Sequence, residues 1–190
     1  MSRSARLNIP NLLTLLRILA IPAVVLLLLP GDRRMISYQS SIAAFLLFVA
    51  AAVTDLFDGY IARRYAMVTA VGKLLDPLAD KLLVCASMIM LIPPARVPAW
   101  MAVIVVAREI GVTALRGVAS TEGVVIAASP LGKWKTLLLN IAVAMLILHF
   151  PVFGLPVHKM GMGVLIVGLV LTTWSGLDYF FRFVGELFRH

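Results

Sequence analysis

The chain is expected to be an all-α integral membrane protein, with six transmembrane helices preceded by a short N-terminal interfacial segment. Three observations carry this expectation. Of 190 residues, 62% are hydrophobic and 14% charged, with mean hydropathy +1.01. A water-soluble domain of this size has too few polar groups here to cover its surface. The apolar residues also form continuous runs of about 20, the length a helix needs to cross a bilayer, without the alternation of barrel strands. Finally, breaks rich in glycine, proline and charge separate the runs.

In chain order, Arg3 and Arg6 precede Asn8-Ile9-Pro10-Asn11 and an apolar run to Leu29. That run is too long for a secretory signal, contains Arg17 and has no small-x-small cleavage site before Gly31. It is expected to be retained as the first span, entered at Pro10, whose missing N–H is harmless at a helix start. Further runs cover 36–57, 74–92, 98–118, 134–150 and 160–181. Gly31 to Arg34, Pro93 to Pro98, the Gly117–Pro130 linker and Pro151 to Pro156 separate them. The stretch between Tyr60 and Gly72 reads as a short polar surface connection. Six spans leave no room for a second unit, so residues 1–190 are expected to form one membrane domain.

Basic residues set the orientation. With both termini cytoplasmic, all of the 17 except Arg33, Arg34, Arg96 and Lys159 fall on the cytoplasmic side. The net charge of +8 has no basic block with interleaved aromatics behind it, so nucleic acid is not an expected partner. Anionic headgroups and phosphorylated substrates explain the sign better. Cys85 is the sole cysteine, which excludes an intrachain disulfide. His149, His158 and His190 are too widely spaced for a metal-ligand motif and are expected at interfaces or the terminus.

The chemistry concentrates between Asp55 and Asp80. Asp55 and Asp58 are three apart, and Asp76 and Asp80 four apart; on helices both spacings stack side chains on one face. Four uncompensated carboxylates near a membrane would cost several kcal/mol each. A hard divalent cation with oxygen ligands offsets that cost. Gly59 and Ala62 leave the neighbouring helix surface nearly bare, suited either to close helix packing or to a bulky ligand. Arg63 offers a planar fork of donors to an anion. Together these parts suit binding a diphosphate and moving a phosphoryl group.

The pattern Asp55-x2-Asp58-Gly59-x2-Ala62-Arg63-x8-Gly72-x3-Asp76-x3-Asp80 resembles the signature of the CDP-alcohol phosphatidyltransferases at every fixed position. The resemblance implies a six-span enzyme, with its site at a cytoplasmic end, that displaces CMP from a CDP-linked lipid with an alcohol. By position, Asp55, Asp58, Asp76 and Asp80 would bind two divalent ions, Mg2+ or Mn2+, and Asp80 would also be the general base. Gly59, Ala62, Arg63 and Gly72 would lie along the CDP moiety, joined by Asn11 and Thr14, which otherwise only cap and tighten the first helix. The family also implies a homodimer in the cell (inner) membrane.

The acceptor is read from two further stretches. Arg108 and Arg116 lie eight apart, about two turns, on one helical face, and Lys133 and Lys135 open the fifth span. Buried arginines need an anion. Glu109 is one candidate partner, but the motif's carboxylates are committed to metal and an incoming phosphate fits better, so a phosphorylated alcohol is favoured. Snorkelling is the plain alternative for the lysines, and pairing with the acidic cluster is the alternative for Arg17. These stretches resemble the branch of the family that uses CDP-diacylglycerol and sn-glycerol 3-phosphate to make phosphatidylglycerol phosphate. Leu139 departs from that branch, which often has glutamine there. The rival readings are inositol phosphate or phosphatidylglycerol as acceptor and, from another class, a divalent-cation transporter.

Overall fold

Among the described residues, the six apolar segments become six helices: α1 (Ile9–Leu27), α2 (Tyr38–Tyr65), α3 (Ala70–Met90), α4 (Ala99–Thr121), α5 (Leu131–Leu148) and α6 (Val157–Leu187). This computed structural model describes the backbone of residues 9–31, 35–65, 70–121 and 131–187. Within these it describes the side chains of 15–31, 35–54, 78–79, 81–119, 134–182 and 184–185. The expected interfacial segment before Ile9 lies outside the described residues.

Two boundaries differ from the sequence expectation. The polar connection expected between Tyr60 and Gly72 is largely helical, because α2 continues to Tyr65 and α3 starts at Ala70. Loss of hydrophobicity does not end a helix; Ala, Leu, Lys and Arg keep good helix propensity in water or in lipid. At the other end, α6 runs to Leu187, beyond the apolar run expected to end at 181. Arg182 Nε donates to Asp178 Oδ1 at 3.0 Å, one turn back along the exposed side.

Among the described residues, α5 and α6 make the most extensive pairing. Gly161 and Gly168, seven residues apart on one face of α6, allow this approach. A Cβ on Gly161 would stand 2.9 Å from Met145 Cβ, and one on Gly168 3.2 Å from Leu139 Cδ2. α1 packs on α2 and α3, and α4 on α6 and α3. Phe48, Met88, Val105, Leu146 and Leu165 fill the middle, fully buried. The surface is apolar as well as the core: Leu46, Val103, Ile110, Trp174 and Phe181 are exposed, while a few charged side chains, Arg17, Arg96, Glu109 and Lys135, are buried. Among the described residues, Val157–Arg182 of α6 is the one stretch long and apolar enough to cross a membrane. Shorter apolar helical stretches lie at Leu15–Leu27, Tyr38–Thr54, Lys81–Met90 and Trp134–Leu148.

One end of the bundle is tied by Arg96, in the α3–α4 connection and only 3% exposed. Its Nη1 donates to the carbonyl of Ile147, in the last turn of α5, at 2.6 Å, and its Nη2 to Ser41 Oγ of α2 at 3.0 Å. A cation at a helix C-terminus satisfies orphan carbonyls and complements the dipole. The guanidinium also lies 5.7 Å from the Phe150 ring centroid. Beside it, His149 and His158 are brought together, with Nδ1 atoms 3.1 Å apart, although their sequence separation gave no sign of pairing. That contact needs one nitrogen to donate and the other to accept.

Two outcomes follow from these contacts. Gly161→Ala should lower the melting temperature in detergent: crowding costs about 1–3 kcal/mol, more than the roughly 1 kcal/mol of regained helix propensity. Burial pushes the His149 imidazole below its ordinary value, reinforced by the Arg96 charge and by His158. The folded state then binds this proton less readily than the unfolded chain. Stability should be full at neutral pH and decline as pH falls through about 6.5 and below. A pH series of melting curves on wild type and His149→Gln, with a weaker decline in the variant, checks this.

Candidate functional site

The acidic motif sits on two successive helices that pack on one another. Asp55 and Asp58 lie in α2, and Asp76 and Asp80 in α3. Helical backbone at both pairs puts each pair on one face, as the spacing predicted. The side chains of Asp55, Asp58, Gly59, Ala62, Arg63, Gly72, Asp76 and Asp80 lie outside the described residues, as do those of Asn11, Thr14 and Lys133.

From the motif the described contacts lead into α4. Lys81, next to Asp80, donates to Thr113 Oγ1 of α4. The Thr113 hydroxyl donates to the Glu109 carbonyl at 2.6 Å, one turn further in. Glu109 then joins two helices. Its Oε1 accepts from Arg108 Nη1 at 2.8 Å and from Lys135 Nζ of α5 at 2.6 Å. All three side chains are nearly buried, at 10% exposure for Arg108, 11% for Glu109 and 8% for Lys135. Such charge-assisted bonds are the strong kind, and leaving one partner buried alone would be costly.

α6 supplies the rest of the seat. Arg108 Nε donates to the Thr172 carbonyl at 3.2 Å and Nη2 to Ser175 Oγ at 3.1 Å. Gly176 makes room, since a Cβ there would stand 3.1 Å from Arg108 Cγ. Two turns along α4 from Arg108, the exposed Arg116 places its guanidinium 5.4 Å from the Tyr179 ring centroid of α6. Arg108 and Arg116 therefore do share the α4 face towards α6. The structure joins Arg108 to Lys135, however, and holds Arg116 apart on its own aromatic partner.

One expectation is revised here, and one alternative is set aside. Glu109 was ranked behind an incoming phosphate as partner for the arginines, yet it binds Arg108 and, in addition, Lys135. The reason is that a buried ammonium and guanidinium need an anion whether or not a ligand is bound. Lys135 is not a snorkelling interfacial lysine, because its ammonium is turned inward onto that carboxylate. Arg17 of α1 is buried as well, at 2% exposure. Thr172, Ser175, Gly176 and Tyr179 went unmarked; the one hint was a polar interruption, Thr172-Thr173-Trp174-Ser175-Gly176, in the last apolar run. At the departure position, Leu139 is buried against α6, while the adjacent Asn140 keeps a buried Oδ1 without a hydrogen-bond partner.

The profile described as CDP-alcohol phosphatidyltransferase matches residues 7–174, most of the chain. The chain belongs to the CDP-alcohol phosphatidyltransferase family. The match contains the acidic motif, the arginines of α4 and both lysines of α5, whereas Ser175, Gly176 and Tyr179 lie just beyond it. The chain is similar to the CDP-diacylglycerol–glycerol-3-phosphate 3-phosphatidyltransferase of Bacillus subtilis (strain 168): 43% identical over 180 residues, covering 91% of this chain and 93% of that one. A protein of that name from Rickettsia typhi (strain ATCC VR-144 / Wilmington) is 40% identical over 174 residues, covering 91% of this chain and 95% of its own. A probable phosphatidylglycerophosphate synthase of Mycobacterium tuberculosis (strain ATCC 25618 / H37Rv) is 36% identical, covering 95% of this chain and 83% of its own.

For this transferase, Gly176→Val should displace the Arg108 side chain from α6. Its activity should fall about tenfold or more, the scale of losing one or two bonds to a charged group. Circular dichroism should show unchanged helix content, and near-normal activity would mean that the seat on α6 is dispensable.

Proposed function

We propose that this chain transfers the phosphatidyl group of CDP-diacylglycerol to the free hydroxyl of sn-glycerol 3-phosphate, giving phosphatidylglycerol phosphate and CMP. The observation that carries the reading is the buried Arg108–Glu109–Lys135 cluster, linked through Thr113 and Lys81 to the helix that bears Asp76 and Asp80. A phosphorylated acceptor needs cations beside the reacting centre, and three of the four basic residues assigned to it lie on described surfaces of α4 and α5. The names of the similar proteins agree with it. A cation transporter has no use for an arginine seat shaped by α6.

The donor set of the motif fits a hard divalent ion: four carboxylates in two pairs at helical spacing, on packed helices. Among the described residues no group of three or more His, Cys, Asp or Glu competes with it. Asp55, Asp58, Asp76 and Asp80 would hold two ions, Mg2+ or Mn2+. Bound there, the ions supply positive charge against the diphosphate and the departing CMP. Arg63 binds the diphosphate from beside the bare surface of Gly59 and Ala62, with Gly72, Asn11 and Thr14 along the CDP-lipid. Arg108, Arg116, Lys133 and Lys135 hold the acceptor phosphate, which fixes the direction of its hydroxyl. Asp80 takes the proton from that hydroxyl as its oxygen bonds to the phosphatidyl phosphorus and the bond from phosphorus to CMP breaks.

In this reading residues 1–190 form one domain with six spans in the cell (inner) membrane, paired as a homodimer, with both termini and the site cytoplasmic. The many large apolar side chains exposed on the bundle support lipid around it. Even the shortest helix, α5, has 18 residues, or about 27 Å at about 1.5 Å per residue.

The test supplies purified protein with CDP-diacylglycerol, Mg2+ and radiolabelled acceptors in parallel. Label should enter lipid from glycerol 3-phosphate; entry only from inositol phosphate or phosphatidylglycerol would replace the acceptor. Asp80→Asn should reduce turnover by at least about a hundredfold, the usual contribution of a general base, while CDP-diacylglycerol binding persists. Arg116→Ala should raise the acceptor KM well above any change in the CDP-lipid KM.

A further inference from the structure

We infer that Glu109 is a positioning residue for the acceptor's phosphate, holding Arg108 of α4 and Lys135 of α5 on one carboxylate oxygen so that both face a single anion. The inference rests on the reading of this end as a phosphorylated-acceptor site.

Three features carry it. First, both cations donate to the same atom, Oε1, at 2.8 and 2.6 Å, so their nitrogens are fixed near one another although their helices differ. Without that carboxylate, two like charges almost out of solvent would repel and part. Secondly, the clamp does not exhaust the donors. Arg108 uses one N–H at each of Nε, Nη1 and Nη2, leaving a second N–H on both terminal nitrogens, and the ammonium of Lys135 has three. Thirdly, Glu109 is itself fixed from the motif side, since its carbonyl accepts from Thr113, which accepts from Lys81 beside Asp80.

A carboxylate facing two cations is also what a competitor of phosphate would look like, and the two roles differ in sign. Removing a competitor strengthens acceptor binding; removing a positioning group weakens it. Glu109→Gln in the full chain, assayed with CDP-diacylglycerol, Mg2+ and glycerol 3-phosphate, should raise the acceptor KM on the order of tenfold, as for loss of a charge-assisted bond. The CDP-diacylglycerol KM should stay within about twofold. In a Lys135→Met background the same change should add less than about twofold, because the residue acts through that lysine. A lowered acceptor KM, an equal rise in both KM values, or full additivity with Lys135→Met would overturn the inference. If Glu109→Gln does not fold, Glu109→Asp keeps the charge but shortens the reach by one methylene; a raised acceptor KM is expected, and a wild-type value overturns it. Arg108→Ala and Lys135→Met separate the two levels. If they move only the CDP-lipid KM, the acceptor reading falls and the inference with it. If they raise the acceptor KM while Glu109→Gln does not, the positioning role alone falls.

Discussion

A charge can enter an apolar helical bundle only with its partner already in place, and much of this architecture follows from that constraint. Moving a guanidinium or ammonium away from water costs several kcal/mol unless bonds replace the lost hydration. Arg96 meets the requirement with backbone carbonyls and a serine at one end. Arg108 and Lys135 meet it with Glu109 and with α6 at the other. Each solution draws donors and acceptors from several helices. Polar groups therefore fix how the helices sit against one another, a task that nonspecific apolar packing in lipid performs poorly.

The two ends use this device to different effect. Around Arg96 the donors go to a helix terminus and connecting segments, the histidine pair closes alongside, and the result is a knot with no evident chemistry. Around Glu109 the same kind of bonding leaves further N–H groups uncommitted, within helices joined to the acidic motif. Under the proposed acceptor reading, cations already spaced and partly neutralised leave little reorganisation for the binding step. Close packing of α5 on α6, permitted by Gly161 and Gly168, holds Lys135 and the Arg108 seat in register.

The helical placement of the acidic motif was legible because its information is local. Carboxylates at spacings of three and four share a helical face once the backbone is helical, and the helices do run through them. Arg108 and Arg116 two turns apart were equally readable as one face. Glu109 was misjudged for a non-local reason: Lys135 lies 26 residues away on another helix, and nothing in either neighbourhood encodes their meeting. His149 and His158, separated by a turn that folds back on itself, were missed in the same way.

The sequence by itself determined the helical class, the count of six apolar segments, the family and the acidic motif. These follow from composition and from periodicity along one chain, where hydrophobic run length and helical spacing act without reference to distant residues. Only the tertiary structure decided which cation takes which partner, that α6 seats Arg108, and that one carboxylate bridges α4 and α5. Those outcomes depend on how buried charges on different helices share scarce acceptors, a three-dimensional competition that no linear pattern records.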